Sequence, residues 1–471
     1  MRRWFLFIFF LGLITQTQAQ SLTPLRLEDY LSQVHQNNPG VEGADLLQQA
    51  TLDLRDEGSQ SLAPQFFSKY DYIYDKRETL IPAFQGNKTA VHDLSFGVSK
   101  QMDFGLQSSV FYDVTSSTVY GVDPILYPQP HLNVQSLNLQ LTQSLWKNGF
   151  GRSTKALVLS KNALNAVVGF QQQFQLKELL AEAEMQYWQL SIARAQVDVH
   201  QRSLERTQQL QKTNQRRAKL NLIDNADLLS TNAALQQREL ELKNAKDQER
   251  ILSRSFNQSR GQNSDVVAEQ LIVPTSEFIS QLPPIQKAAQ RADVKAAQAQ
   301  IDASKQTADI ARDQYLPQLD VYTRLSTNGQ DPTWADAASD TLDTDHPYAA
   351  VGIQLNVPLN FSKNSRIRKA YGKQVKGNEK NYQQIFLNQE ISWNSLNQQW
   401  NETKERLDMA IELQKTQQKK LDAEKKRMQQ GKSTTYQVFL NEQDLLNAEL
   451  LILQTEQLAM NIYAQMKTYG E

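Results

Sequence analysis

Few side chains in this chain of 471 residues are placed to make or break bonds. Its five histidines, His35, His92, His131, His200 and His346, are scattered, and none has the HExxH or other paired spacing that holds a catalytic metal. No GxSxG, P-loop or GxGxxG motif occurs, so acyl transfer, phosphoryl transfer and dinucleotide chemistry lack their usual residues. Cysteine is absent, which removes disulfides, thiolate metal sites and thiol nucleophiles. Asp343-Thr344-Asp345-His346 has ligand residue types, but it falls in a polar predicted loop beside Pro347, where a solvated turn is expected. No catalytic, metal-binding or cofactor-binding residue is expected, and the chain does not read as an enzyme. The informative residues are instead ones that recur.

The stretch "SLWKNGFGRSTKA" (144–156) is echoed 214 residues later, without a gap, as "PLNFSKNSRIRKA" (358–370). Leu145 meets Leu359 and Arg152 meets Arg366; upstream, Leu137, Leu139 and Leu141 fall on Val351, Ile353 and Leu355. A second alignment, at an offset of 253, pairs Val41 with Val294, Asp56 with Asp309 and Pro64 with Pro317. The chain therefore contains two structural repeats, the first with 39 extra residues between Pro64 and Arg152.

Each repeat predicts helix, strands, long helix, turn and helix. Helical patterns over 40–62 and 284–315 stop at Pro64 and Pro317, the helix-to-strand junctions. After Pro64, Phe66, Tyr70, Tyr72 and Tyr74 share one face of a strand; after Pro317, Leu319, Val321 and Leu325 do. Strands are expected within about 65–145 and 317–360, half apolar and of a length that suits a sandwich or a lipid-facing barrel wall. Leu145 with Arg152, and Leu359 with Arg366, mark the strand-to-helix junctions. The runs that follow, 153–217 and 364–430, contain no proline, and at some 65 residues each makes a rod of about 100 Å. Apolar residues keep three- and four-residue steps on an otherwise Gln-, Asn-, Lys- and Glu-rich surface, the pattern of helices packed on neighbours with one wet face. Turns near Asn221 to Asp224 and Gly431 to Thr434 reverse each rod, with Asp224 and Ser433-Thr434 where an N-cap is needed. The returning helices, about 225–259 and 435–469, complete a hairpin in each repeat.

Residues 1–19 read as a secretory signal peptide: Arg2 and Arg3, an apolar run from Trp4 to Ile14, and the small-x-small site Thr17-Gln18-Ala19. Eleven apolar residues are too few for an anchor, which takes roughly 20. The expected domains are a first repeat over 20–260, a connecting segment over 261–283 and a second repeat over 284–471. With 50 basic against 51 acidic residues, nothing points to nucleic acid as a partner. No later stretch is long and apolar enough for a membrane helix, so contact with a membrane would be made by strands.

This order closely resembles the outer-membrane efflux family typified by TolC. The resemblance covers nearly the whole mature chain and rests on the "LxLxxxLxxxxxxR" junctions ending at Arg152 and Arg366, on Asn37-Asn38-Pro39, and on "RMQQGKSTTYQVFLNEQ". It implies a mostly α fold with a transmembrane β part: long periplasmic helical hairpins, and four strands per chain contributing to a shared trimeric outer-membrane barrel of 12. The implied partners are two further copies of the chain, a periplasmic adaptor, an inner-membrane pump and outer-membrane lipid. The implied function is a channel-tunnel that exports what the pump delivers.

Two departures stand out. The extra residues, with Leu94, Phe96 and Val98 alternating, add either a hairpin to the barrel or a structured external loop. The best-known family members close the tip with aspartates on the second repeat's returning helix, six and nine residues after the tip glycine, and counting from Gly431 gives Gln437 and Leu440. An acidic constriction would then come from Asp224 and Asp227, which with Asn221, Gly431, Ser433 and Gln437 are the candidate tip and gate residues. The rival readings are a soluble periplasmic coiled-coil adaptor, which leaves the strands unexplained, and a stand-alone porin, which leaves the helices unexplained. The junction arginines are expected to anchor the joint, near lipid head groups or helix-end carbonyls.

Overall fold

The computed structural model describes residues 24–220, 223–343 and 345–470. The expected signal peptide, Asn221 and Thr344 lie outside these. In chain order the elements are α1 (Leu27–Asn37), α2 (Pro39–Asp53), a 3-10 helix (Leu54–Leu62), β1 (Gln65–Asp75), a single turn α3 (Pro82–Gln85), β2 (Lys88–Gln101), β3 (Leu106–Tyr120), β4 (His131–Ser144), α4 (Arg152–Lys219) and α5 (Asn225–Ser259). They continue with α6 (Ser276–Ser280), α7 (Ala292–Gln314), β5 (Gln318–Asp331), α8 (Trp334–Thr341), β6 (Pro347–Asn356), α9 (Phe361–Gln429) and α10 (Thr435–Lys467).

The chain forms two compact units, and both draw on both repeats: residues 43–176 with 288–393 make one, and those before Gly43 with 177–287 and 394–471 make the other. The first unit holds a six-stranded antiparallel sheet in the order β1-β2-β3-β4-β5-β6. The extra residues of the first repeat are thus a hairpin, β2–β3, inserted between the strands expected on either side. Six strands replace the four that the resemblance implied.

The second unit is helical. Tyr30 stacks on Phe256 with ring centroids 4.1 Å apart, and Tyr187 packs beside them while donating its hydroxyl to the Leu25 carbonyl at 2.6 Å. Ile192 and Val199 of α4 meet Leu446 and Leu453 of α10, and Leu421 and Met428 of α9 meet Val438 and Leu445 of α10. These are the narrow apolar stripes of the long helices, buried against one another as their three- and four-residue spacing requires. Among the described residues no helix is long and apolar enough to cross a membrane.

Two helical expectations need correction. The run over 40–62 is α-helical only to Asp53 and then tightens into the 3-10 helix, because Gly58 is pressed against α4. A Cβ there would lie 2.8 Å from Asn162 Oδ1 and 2.9 Å from the Val158 carbonyl. The run over 284–315 becomes helical only at Ala292: Lys287 is spent on a bridge to Gly470 at the end of the chain.

Candidate functional site

The register of the sheet assigns every strand residue to one of two faces, since directly paired residues share a face. Phe66 pairs with Val98, Val98 with Val110, Val110 with Leu139, Leu139 with Leu325 and Leu325 with Ala349. Around this row, Tyr70, Phe96, Leu137, Val351, Ile353 and Leu355 extend an apolar band across all six strands. Its members are open to the surroundings: Phe66 is 71% exposed, Val351 77% and Ile353 72%. Toward the far ends of the strands this face turns polar at Asn133 and Gln135, and α8 packs over it. Gly329 permits the approach, because a Cβ would lie 2.1 Å from the Ala337 carbonyl.

The opposite face is mostly polar, with Phe67 and Phe111 packed together among its polar residues. Asp113 accepts from Ser95 Oγ at 2.6 Å and from Asn138 Nδ2 at 3.1 Å, with the Arg324 guanidinium 3.5 Å away. Arg324 also donates to Asn138 Oδ1 at 2.9 Å, and Thr115 donates to Asp93 at 2.8 Å. One hydrogen-bonded network thereby crosses β2, β3, β4 and β5 on a single face. A sheet with one exposed apolar face and one wet, charged face can stand between lipid and water.

The joint at Arg152 is built within this same unit. The Leu145 amide donates to the Leu319 carbonyl at 2.8 Å and Lys147 to the Pro317 carbonyl at 3.1 Å, carrying the β4–β5 ladder past the strand ends. Asn148, Phe150 and Gly151 then turn the chain with positive φ values of 55°, 52° and 78°. Arg152, the first residue of α4, ion-pairs with Asp313 near the end of α7, and its Nε donates to the same carboxylate at 3.1 Å. Asp313 is buried and also accepts from the Asn148 amide. Arg152 thus ties the start of α4 to a buried carboxylate near the end of α7, and its guanidinium also reaches the Trp146 carbonyl at 3.5 Å. Arg366 differs: α9 runs straight from Phe361 and Arg366 is exposed. Of the other junction residues, Pro64 precedes β1 directly, and Leu145 and Leu359 are 40% and 83% exposed.

The turns at the helical end lie in the other unit. Asp224 is the N-cap of α5 and accepts from the Asn225 amide at 2.6 Å. Asp227, in the first turn of α5, lines a cavity of about 350 Å³ shared by Leu210, Ala234, Tyr436 and Phe439. Gly431 has φ of +73° and ends α9, with the Lys432 amide bonded back to the Arg427 carbonyl at 2.9 Å. Thr434, not Ser433, caps α10, accepting from the Gln437 amide at 3.3 Å; Ser433 donates to Glu424. The Gln437 side chain is exposed.

Residues 285–469 match the family model of the outer membrane efflux protein. The match spans most of the second repeat. Solved structures similar to the chain as a whole include the outer-membrane channel OprN, at 16% identity and a TM-score of 0.68, over 94% of this chain and 89% of that one. The outer membrane protein VceC from Vibrio cholerae matches at 13% identity and a TM-score of 0.67, over 94% and 96%. The CmeC outer membrane channel from Campylobacter jejuni matches at 12% identity and a TM-score of 0.68, over 94% and 85%. No curated protein sequence matches the chain. At such identities the likeness is one of fold, and it is to channel proteins, not enzymes.

In this fold the structure adds residues that sequence reasoning missed. Arg206 of α4 donates to Glu442 of α10 at 2.8 Å and to Glu449 at 3.3 Å, while Lys425 of α9 meets Glu442 at 2.6 Å. Arg238 of α5, with its side chain fully buried, donates to Gln443 of α10 at 2.6 Å and to Glu241 at 2.7 Å. Asn214 of α4 joins Thr231 of α5 at 2.8 Å and Thr435 of α10 at 3.1 Å. The two helical hairpins are thus cross-tied near their turns by buried polar groups. A polar residue interrupting the apolar stripe of a long helix was the available signal, but the partners in the other hairpin lie more than 200 residues away.

Proposed function

We propose that the chain is one subunit of a homotrimeric outer-membrane duct, which carries to the exterior cargo delivered by an inner-membrane pump through a periplasmic adaptor. The observation that carries this reading is the two-faced sheet with two open edges. Six strands fall short of the eight usually needed to close a barrel, and an edge left open in lipid costs several kcal/mol for each unpaired backbone group. Identical copies are the simplest source of the missing strands. β1 and β6 have 11 and 10 residues and run antiparallel, so β6 of one copy can continue the ladder onto β1 of the next without a change in pattern.

The function requires no resident cofactor. It requires a wet passage, and the polar face of the sheet supplies hydrogen-bonding surface with charges of both signs. Two experiments test the reading. The protein should be recovered from outer membranes as a heat-resistant oligomer, and deleting its gene should abolish export of a pump's cargo while leaving small-solute uptake unchanged. Recovery of a monomer from the periplasmic fraction would favour the soluble adaptor; loss of small-solute uptake would favour a porin.

The turns at Asp224 and Gly431 are the proposed tip, where access and docking are controlled, and Asn221, Ser433 and Gln437 are the further candidates there. Asp224 and Asp227 are proposed as the acidic constriction. Because Asp224 is also a helix cap, the informative variant is Asp224→Asn with Asp227→Asn, which keeps a capping oxygen and removes the charge. Conductance should rise and block by divalent or trivalent cations should weaken; no change in either would sink this assignment.

A further inference from the structure

We infer that hairpin β2–β3 stands in the membrane wall as a third of each subunit's share, so that three copies close a barrel of 18 strands, not 12. The total of 18 rests on the trimeric reading above; the hairpin's place in the wall rests on the sheet itself. The ladder is continuous through the hairpin, from Tyr70↔Leu94 and Leu94↔Val114 to Tyr112↔Leu137. The hairpin also keeps the division of faces: Phe96, Val98 and Val110 lie in the apolar band, while Asp93, Ser99 and Ser109 lie on the polar side. An external loop has no reason to continue a lipid-facing band in register with its neighbours.

A second observation is independent of the band. The turn of the hairpin is fitted to the strand-to-helix joint of the first repeat. Gly105 in that turn and Gly151 in the joint both have positive φ, and a Cβ on Gly151 would lie 1.8 Å from the Asp103 carbonyl and 2.7 Å from the Gly105 amide. Lys155 on α4 reaches Asp103 at 4.0 Å. In the second repeat, which has no extra hairpin, the position equivalent to Gly151 is Ser365. The glycine is present where the hairpin turn abuts the joint and absent where there is none.

Parity agrees. Adding two strands preserves the antiparallel relation of β1 to β6, so identical copies still close without a parallel pair, which one extra strand would not allow. For strands about 4.8 Å apart and tilted about 40°, 18 strands give a backbone cylinder about 36 Å across, against about 24 Å for 12. The membrane pore then has about 2.3 times the cross-section of a 12-stranded one.

The absence of native cysteine allows a direct test. Single variants Val98→Cys, Ser99→Cys, Ser109→Cys and Val110→Cys are placed in lipid nanodiscs and treated with a membrane-impermeant maleimide, with Val351→Cys on β6 as the apolar-face control. Native mass spectrometry of the same samples counts subunits. The proposal expects three copies, at least fivefold faster labelling at 99 and 109 than at 98 and 110, and protection at 98 and 110 equal to that at 351. Comparable labelling at all four hairpin positions, with 351 protected, overturns the hairpin's place in the wall. The alternating pattern with a copy number other than three overturns the count of 18 through the trimeric reading alone.

Discussion

Replacing Gly151 with alanine should break the joint between sheet and helix, whereas the same change two residues earlier should not. Gly151 has φ of +78°, where an L side chain costs about 1–2 kcal/mol. Its new Cβ would stand 1.8 Å from the Asp103 carbonyl and 2.7 Å from the Gly105 amide. Both obstacles are backbone and cannot swing aside, so overpacking adds about 1–3 kcal/mol. Gly149 has nothing within 4 Å of an added Cβ and no positive φ, so alanine there should fall within about 1 kcal/mol of neutral. At about 2–4 °C per kcal/mol, Gly151→Ala should lower the thermal midpoint of the detergent-purified protein by roughly 5–15 °C. Gly149→Ala should shift it by a few degrees at most, in either direction. Midpoints are compared at one scan rate, because unfolding of such a protein is governed by its rate. Equal stability of the two variants would refute the fit between hairpin turn and joint.

Three further outcomes follow from the geometry. In a double-mutant cycle of Arg152→Ala and Asp313→Ala, the coupling should be about 1–3 kcal/mol; removing the arginine should cost more than replacing Asp313 with Asn, because it strands a buried carboxylate. Arg238→Ala should destabilise the helical unit by about 3–5 kcal/mol and speed amide exchange in α5 and α10, since Glu241 and Gln443 lose a buried partner; exchange equal to the parent's would contradict the cross-tie. Burial pushes the Glu456 carboxyl up from 4.5 to about 7, so its neutral form is the one the fold favours. Its contribution is therefore complete below pH 4.5 and lost as the pH rises through 7, a change of about 3 kcal/mol. Glu456→Gln should remove that part of the pH dependence of the melting curve, and an unchanged slope would show that another group is responsible.

The parts of this fold legible in the sequence were those written in short periods. Alternation of period two assigned Phe66 and Tyr70 to one face of β1, and proline-free runs with three- and four-residue steps announced α4 and α9. The hairpin was visible as the alternation of Leu94, Phe96 and Val98, but a strand pattern does not name its partner, so wall and external loop remained alternatives until the register joined β2 and β3 to β1 and β4. The 3-10 segment after Asp53 has ordinary helix-forming residues, and only the close approach of Gly58 to α4 decides its geometry. Arg152 was singled out by repetition, yet its acceptor Asp313 lies 161 residues away. The polar cross-ties of the helical hairpins escaped for the same reason: a buried Arg238 or Asn214 looks in sequence like any solvated residue on a polar rod.

The most direct test is a cryo-electron microscopy reconstruction of the full-length protein in lipid nanodiscs. The account predicts three chains around one axis, with β6 of each copy paired antiparallel to β1 of the next, a closed wall with the Phe66–Leu325 band against lipid, and the Asp113–Arg324 network facing an open lumen. A particle whose sheets remain open, or whose polar face lies against lipid, would contradict it.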